Sequence, residues 1–376
     1  MNSLPPCAHR LAGVDEDAGA GQALVRALWA VSNLDDVRSG LTLRERIATG
    51  SRSVVKKMLH RIWIKRAYRD LRSVESPLVT FNQKLVYKMA HDRRPILHAF
   101  ADKYAARKFI SQRVGGTYLP ALLAVVGPGH EIPWTLLPKE FVAKSTHGSG
   151  ASVIVFESAD ADARLPSNVE SIEWDRFQIR PENLVYRDLQ SLCNRWMTLD
   201  YEWTPGHVPE WAYRGIRRRV VFEEFLHGET GDIPVDFKFF VFDGKCIVVM
   251  VDHDRFSGHR RDVFTLSWEH LPVRFGDPNS PEPMPAPSTL PEMVQVAETL
   301  GQGLDFVRVD LYDIAGRVFV GELTNYPDAA TCRFEPASFD EWLGSHWTLP
   351  RRYQTRGQVL REQLQYARWS SVRTGH

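Results

Sequence analysis

Cysteine is scarce in this sequence of 376 residues, and neither sign of charge dominates. The four cysteines, Cys7, Cys193, Cys246 and Cys332, are widely spaced. None sits in a CxxC or a Cys/His pair at zinc spacing, so free thiols are expected rather than a zinc site or a disulfide framework. Lys and Arg number 47 against 46 Asp and Glu. No bulk positive field therefore points to nucleic acid, and none is expected as a partner. Long apolar runs are missing too. The longest lies around Tyr118–Val126, far short of what a bilayer span requires. The N-terminus lacks a basic start followed by an apolar core, so no signal peptide is expected and a cytoplasmic location is. There is no internal repeat, and no GxxxxGKS/T run, which excludes a P-loop. What remains is a globular composition, 43% hydrophobic and 25% charged, long enough for two or three lobes.

Residues 1–22 are rich in Gly, Ala and Pro and read as a loose tail. The segment 41–72 carries ten Lys/Arg against two acids, with Val54, Val55, Met58, Leu59, Ile62 and Trp63 at helical spacing. Two readings stay open for it. One is a helix packed on the body with a solvated basic face; the other is a helix touching an anionic membrane or polysaccharide. Residues 76–130 read as helices and short connections punctuated by Pro77, Pro95 and Pro120. From Phe141 the period changes. FVAKS (141–145) and SVIVF (152–156) read as strands joined by a glycine-containing turn. Residues 171–218 read as mainly helical and aromatic. RVVFEEFL (219–226), DFKFFVFDGKCIVVMVDHD (236–254) and FVRVDLYDIAGRVFVGEL (306–323) follow as strands, with hairpin turns at Asp243-Gly244 and Ala315-Gly316. A Pro-rich linker over 277–291 leads into a helix ending at Gly301. The stretch after Pro350 reads as a basic helix without a core of its own.

Three pieces carry chemistry. Asp310 and Glu322 lie on neighbouring strands across a Gly316 turn, which places two carboxylates at one end of a sheet, as a Mg²⁺ ion bridging phosphates needs. Arg308 precedes Asp310 by two and shares its face, where a cation stabilises a transferring phosphoryl group. A solvated strand face is the bland alternative. Lys144 ends an apolar strand, and His147, Gly148, Ser149 and Gly150 follow in a loop whose backbone N–H groups can close over phosphates. An ordinary hairpin loop is the alternative there. Glu223, Glu224, Phe225 and Leu226 form an apolar strand end able to read an adenine edge, or equally to pair with Arg217 or Arg219.

In order and spacing these pieces resemble the ATP-grasp superfamily, and more closely its TupA-like branch, linked to bacterial polysaccharide biosynthesis and teichuronopeptide formation. The stretches that carry the resemblance are 81–110, EFVAKSTHGSG, VFEEFL, DFKFFVFDGK, VDHDRFSGHRR and FVRVDLYDIAGRVFVGELTNYP, spanning about residues 80–350. The resemblance implies an α+β ATP-grasp fold, two α+β lobes clasping ATP, with an N-terminal helical extension. It implies the following organisation: tail and basic extension 1–75, helical pre-grasp segment 76–140, lobe A 141–226, lobe B with the metal site 227–350, and C-terminal tail 351–376.

By the same resemblance Lys103 and Lys144 are the nucleotide lysines, 147–152 the glycine loop and 223–226 the adenine hinge. Asp236 is the ribose acid, and Lys238 a further phosphate contact. Arg308 is the catalytic arginine, with Lys144 also catalytic. Asp310 and Glu322 hold Mg²⁺, for which Mn²⁺ can substitute. One departure stands out. Many ATP-grasp ligases carry Asn two positions after the second acid, where this chain has Thr324 with Asn325 beside it. Either Asn325 is the third metal ligand or water fills the gap. On the acceptor side, Asp252, Asp254, Arg255, His259 and Arg260 lie in one stretch, where Arg255 could clamp a carboxylate bidentately or the loop could be tied by surface ion pairs. The aromatic run Trp196, Tyr201, Trp203, Trp211 and Tyr213 reads as helix packing or as a sugar-stacking wall.

The implied activity is an ATP-dependent, ADP-producing carboxylate–amine ligase acting on a uronic acid or similar glycan carboxylate and an amino acid or amino sugar. The rival readings are a kinase or phosphotransferase on the same fold, a non-catalytic scaffold, and a glycosyltransferase. A place at the inner membrane face goes with the second reading of 41–72; nothing in the residues sets the oligomeric state.

Overall fold

The structure, a computed structural model, describes residues 78–201, 210–229, 231–253, 258–331, 333–350, 353 and 356–371. The basic segment 41–72, the N-terminal helical extension, Trp203, Asp254 and Arg255 lie outside the described residues. Two antiparallel-dominated sheets form the frame. The first runs β1 (Leu122–Val126), β5 (Val220–Glu224), β2 (Phe141–Ser145), β3 (Ser152–Val155) and β4 (Arg176–Ile179) in spatial order; only β3 and β4 pair in parallel. The second runs β12 (Arg317–Thr324), β11 (Phe306–Ile314), β6 (Asp236–Phe242), β7 (Lys245–His253), β8 (Arg260–Phe264) and β9 (His270–Leu271). A two-stranded ribbon joins β10 (Arg274–Phe275) to β13 (Phe334–Glu335).

The hairpins close where turn chemistry places them. Asp243 and Gly244 take φ of 48° and 77°, and Ala315 and Gly316 take 50° and 78°, the paired left-handed conformation of a two-residue hairpin turn. Strand β6 is buried along its whole length, which explains why DFKFFVF shows no alternation. One of its faces, with Phe237, Phe239 and Val241, joins a core completed by helices α3 (Lys103–Arg113) and α5 (Leu290–Gly301). The other, with Phe240 and Phe242, packs with Phe81 and Leu85 of helix α1 (Phe81–His91) and with Trp347. Thr80 caps α1 in a reciprocal box with Gln83. Helix α2 (Ile96–Ala101) turns directly into α3 at Asp102, which accepts from the N–H groups of Tyr104 and Ala105. Helix α4 (Tyr186–Thr198) covers the first sheet with Leu189, Leu192, Cys193 and Trp196, and α6 (Ser338–Ser345) and α7 (Arg356–Ser370) complete the set.

Three expectations change. The apolar stretch near Val126 is a strand, β1, pairing antiparallel with β5, so residues 76–130 are not all helical. Strand β4 lies inside a segment read as mainly helical. The C-terminal helix does have a core: Trp369 is buried against Phe109 of α3, an anchor its polar composition conceals. Among the described residues no helix is long and apolar enough to cross a membrane.

Candidate active site

Lys103 opens α3, and its N–H donates to the Thr146 carbonyl at 3.3 Å while its Nζ donates to the Gly148 carbonyl at 2.6 Å. A helix N-terminus and an ammonium thus meet the loop that follows β2. Burial lowers the Lys103 pKa; Glu322, from the second sheet, is its strongest opposing charge, and Lys144 and Arg176 lie within electrostatic reach. Cations from the first sheet and a carboxylate from the second therefore converge. Lys144 donates to Glu223 Oε2 at 2.9 Å, and Arg107, one helical turn after Lys103, binds the other oxygen. Burial alone would raise the Glu223 pKa, yet Lys144 and Arg107 hold it below the usual carboxylate range. Glu223 is thus the counter-charge of the strand lysine. Glu224 is half-buried, and Phe225 packs against Phe156.

The glycine loop is built on Trp174. A Cβ on Gly148 would stand 2.2 Å from the Trp174 ring, and one on Gly150, whose φ is 101°, would stand 2.4 Å from the Trp174 carbonyl. The ring is held edge-on by His147 and Tyr201 at 5.3 and 5.1 Å. The His147 side chain turns away from the loop. Its Nε2 donates to the Trp196 carbonyl at 3.1 Å and its Nδ1 accepts from the Ser145 hydroxyl at 3.0 Å, so the ring braces the lobe interior. Burial and the nearby Arg218 push its pKa down to about 4. Ser149 hydrogen-bonds Tyr201, whose hydroxyl donates to the buried Glu210 at 3.2 Å. Burial raises Glu210 to about 8.

On the second sheet Asp310 stands opposite Glu322 on β12 and opposite Lys238 on β6. Arg308 donates to both Asp310 oxygens at 2.7 Å, and to Thr324 Oγ1 at 3.1 Å. Burial works against both charges of that pair, but their mutual attraction outweighs it, so Asp310 stays ionised and Arg308 charged. Lys238 reaches Asp236, Asp310 at 3.0 Å and Asp252 at 3.5 Å. It is the hub of three carboxylates, and Asp236 faces it. Asp252 is also bound by Arg261 at 2.6 Å, and His259 bridges Asp252 and Asp277 at 3.2 and 3.1 Å. The acceptor-side stretch is therefore laced by ion pairs. Asn325 donates to the Leu97 carbonyl at 2.8 Å, and its buried Oδ1 has no partner among the described residues. Just beyond, Asp328, Ala329 and Ala330 take φ of 46°, 49° and 59°, a left-handed run that sets Asp328 within electrostatic reach of Arg308, Arg261 and Glu210. Sequence reading missed Arg107, Trp174 and Glu210. Only Arg107, at four residues from Lys103 on a helix, had a legible spacing.

Solved structures similar to this one include D-alanine–D-alanine ligase from Bacillus anthracis (14% identity, 73% of this chain and 70% of that one, TM-score 0.37). The corresponding ligase from Helicobacter pylori gives 11% identity, 67% and 62%, and 0.35. The ATP-grasp ligase PsnB complexed with minimal precursor gives 11%, 74% and 66%, and 0.33. No curated protein matches. The model of the TupA-like ATP-grasp family matches residues 83–348, most of the described chain, and the chain belongs to that family.

Proposed function

We propose that the protein is an ATP-dependent carboxylate–amine ligase whose nucleotide lies between the two sheets. The observation that carries this reading is the convergence of Lys103 and Lys144 with the Glu322 carboxylate, in a chain of the ATP-grasp family. Lys103 and Lys144 bind phosphate oxygens, the backbone of Gly148 to Gly150 closes over them, and the strand end from Glu223 to Leu226 meets the adenine. Arg308, fixed by Asp310, stabilises charge on the transferring phosphoryl group. The substrate carboxylate attacks the γ-phosphorus, ADP leaves, and an amine then displaces phosphate from the acyl phosphate to give an amide. The residues position and stabilise; none acts as a nucleophile.

The donor set fits a magnesium ion. Asp310 and Glu322 are cross-strand neighbours, the Glu322 carboxylate accepts no hydrogen bond among the described residues, and Asp310 Oδ1, which takes a single bond from Arg308, keeps a lone pair; these two acids would hold the ion, with Asn325, whose Oδ1 is unpartnered, the candidate third ligand. Among the described residues no group of three His, Cys, Asp or Glu is arranged to hold a metal alone, and Mg²⁺ does not need one, because phosphates and water complete its shell. Held there, Mg²⁺ would neutralise phosphate charge. The family's setting points to a glycan carboxylate joined to an amino acid or amino sugar.

Hydroxylamine with ATP, Mg²⁺ and a panel of uronic acids is the test. A hydroxamate, with ADP released, is the expected product; phosphorylated sugar without hydroxamate would establish the kinase reading instead. Asp310→Asn and Glu322→Gln should abolish ADP release with the fold retained, and wild-type turnover in either would remove the metal assignment.

A further inference from the structure

One buried cation joins three distant parts of the chain. Arg219, just before β5, donates through Nη2 to Asp102 Oδ2 and through Nη1 to the Ser370 carbonyl, both at 2.9 Å. Its guanidinium lies over the Tyr104 ring at 4.5 Å, and its own carbonyl accepts from the Thr146 N–H at 2.9 Å. Asp102 is fully buried and caps α3, so whatever holds Asp102 holds the first turn of that helix. The first residue of that turn is Lys103, bonded through backbone and side chain to the glycine loop. Helix α7 supplies the third leg. Its Tyr366 hydroxyl reaches Asp102 Oδ2 at 3.5 Å, and Trp369 packs edge-on against Phe109 and donates to Gln112 at 3.0 Å. Lys108 of α3 closes the contact by donating to the Ser371 carbonyl at 2.5 Å.

We infer that the last turn of α7, acting through Arg219 and Asp102, is a positioning strap that sets the Lys103 ammonium against the glycine loop. This rests on the nucleotide site proposed above and makes the C-terminal helix part of it, although α7 supplies no group to the nucleotide. The chemistry favours arginine here. A planar fork holds Asp102 and Ser370 in one fixed geometry, where lysine would offer a point charge on a flexible stem. The strap also answers a conformational difficulty, because a lysine on a flexible four-carbon stem needs a fixed base to hold one geometry.

Hydrogen exchange on the full-length protein, without nucleotide, tests it through two variants. Arg219→Lys keeps a charge for Asp102 and loses the fork; Trp369→Ala releases α7 without touching Asp102 or Lys103. Each should raise amide exchange over residues 103–106 and 145–150 about tenfold, the loss of roughly one hydrogen bond's worth of protection. Exchange over 152–155 and 176–179 should not change. No rise at 103–106, or an equal rise in those reference strands, overturns the strap. Mg·ATP titration separates the two proposals. Wild-type protein that binds no Mg·ATP overturns the nucleotide reading, and exchange alone then decides the strap. If wild type and both variants bind equally well, the strap does not serve the site and the inference falls. The expected result is weaker ATP binding in both variants, with KM for ATP rising more than kcat falls.

Discussion

Replacing Gly148 by alanine separates two reasons for a glycine in the loop after β2. If glycine is there only so that N–H groups can approach phosphates, Gly148→Ala should leave stability alone and weaken Mg·ATP binding. The geometry says otherwise. The added Cβ would lie 2.2, 2.5 and 2.7 Å from three ring carbons of Trp174, inside any tolerable contact. That ring is 8% exposed, and His147 and Tyr201 stand edge-on to it, so it has little room to retreat. Forcing one methyl into such packing costs about 1–3 kcal/mol. In a protein of this size each kcal/mol lowers the melting temperature by only about 1 °C, so denaturant is the better probe. Urea denaturation of wild type, Gly148→Ala, Trp174→Phe and the double variant would measure the clash directly. Trp174→Phe makes room, so the double variant should be more stable than the two single losses added together predict, by about 1–2 kcal/mol. Strictly additive losses, or a Gly148→Ala protein that unfolds with wild type, would refute the steric account.

Glu223→Gln leaves Lys144 and Arg107 without their shared carboxylate; a stability loss of about 3 kcal/mol in urea is expected, and a loss near zero would show that the three charges are solvated rather than coupled. His147 has a folded pKa of about 4 against 6.5 in the unfolded chain. The unfolded chain alone is protonated between those values, so this contribution is present above pH 6.5 and is lost as pH falls through 4. Wild type should therefore lose more stability than His147→Asn over that window, and parallel acid curves would contradict the burial of the ring. Glu210 carries the opposite sign. Its folded pKa of about 8 against 4.5 means a contribution complete below pH 4.5 and lost as pH rises through 8. Between pH 5 and 9 wild type should weaken relative to Glu210→Gln, and urea midpoints that stay parallel would sink that assignment.

Much of the frame was legible because its signals are local. FVAKS forms β2 over its whole length, both hairpins turn at their glycines, and the helix after the Pro-rich linker ends at Gly301. The turn alone would set Asp310 opposite Gly321; a one-residue irregularity between Asp310 and Leu311 brings it opposite Glu322, and no residue pattern announces that shift. What could not be read depends on partners far along the chain. Nothing near His147 announces that its two nitrogens are taken by Ser145 and Trp196. The glycines of the loop answer to Trp174, which arrives with β4 after an irregular stretch. Strand β1 has too little alternation to separate it from a loop and is defined by its pairing with β5. The anchor of α7 is Trp369 with Tyr366 beside it, while its leucines at 360 and 364 stay exposed, so the apolar positions of the sequence do not mark the buried face.

The contact between α1 and α6 has a consequence for how the protein is made. Asn82 is bound to Asp340 through both its N–H and its side-chain amide, across 258 positions of chain. Lys84 donates to the carbonyls of Gly344 and Trp347, and Phe81 nests among Phe306, Phe334 and Trp347. None of these partners exists when α1 leaves the ribosome. At about 5–20 residues per second, roughly 13–50 seconds pass before α6 is synthesised. For that interval Phe81, Leu85 and Met89 have no permanent cover, on a helix of 11 residues too short to hold its shape alone. The nascent chain therefore presents a greasy, half-formed helix to the cell during most of its own translation, and chaperone occupancy should peak on that segment and fall away once residue 347 has emerged.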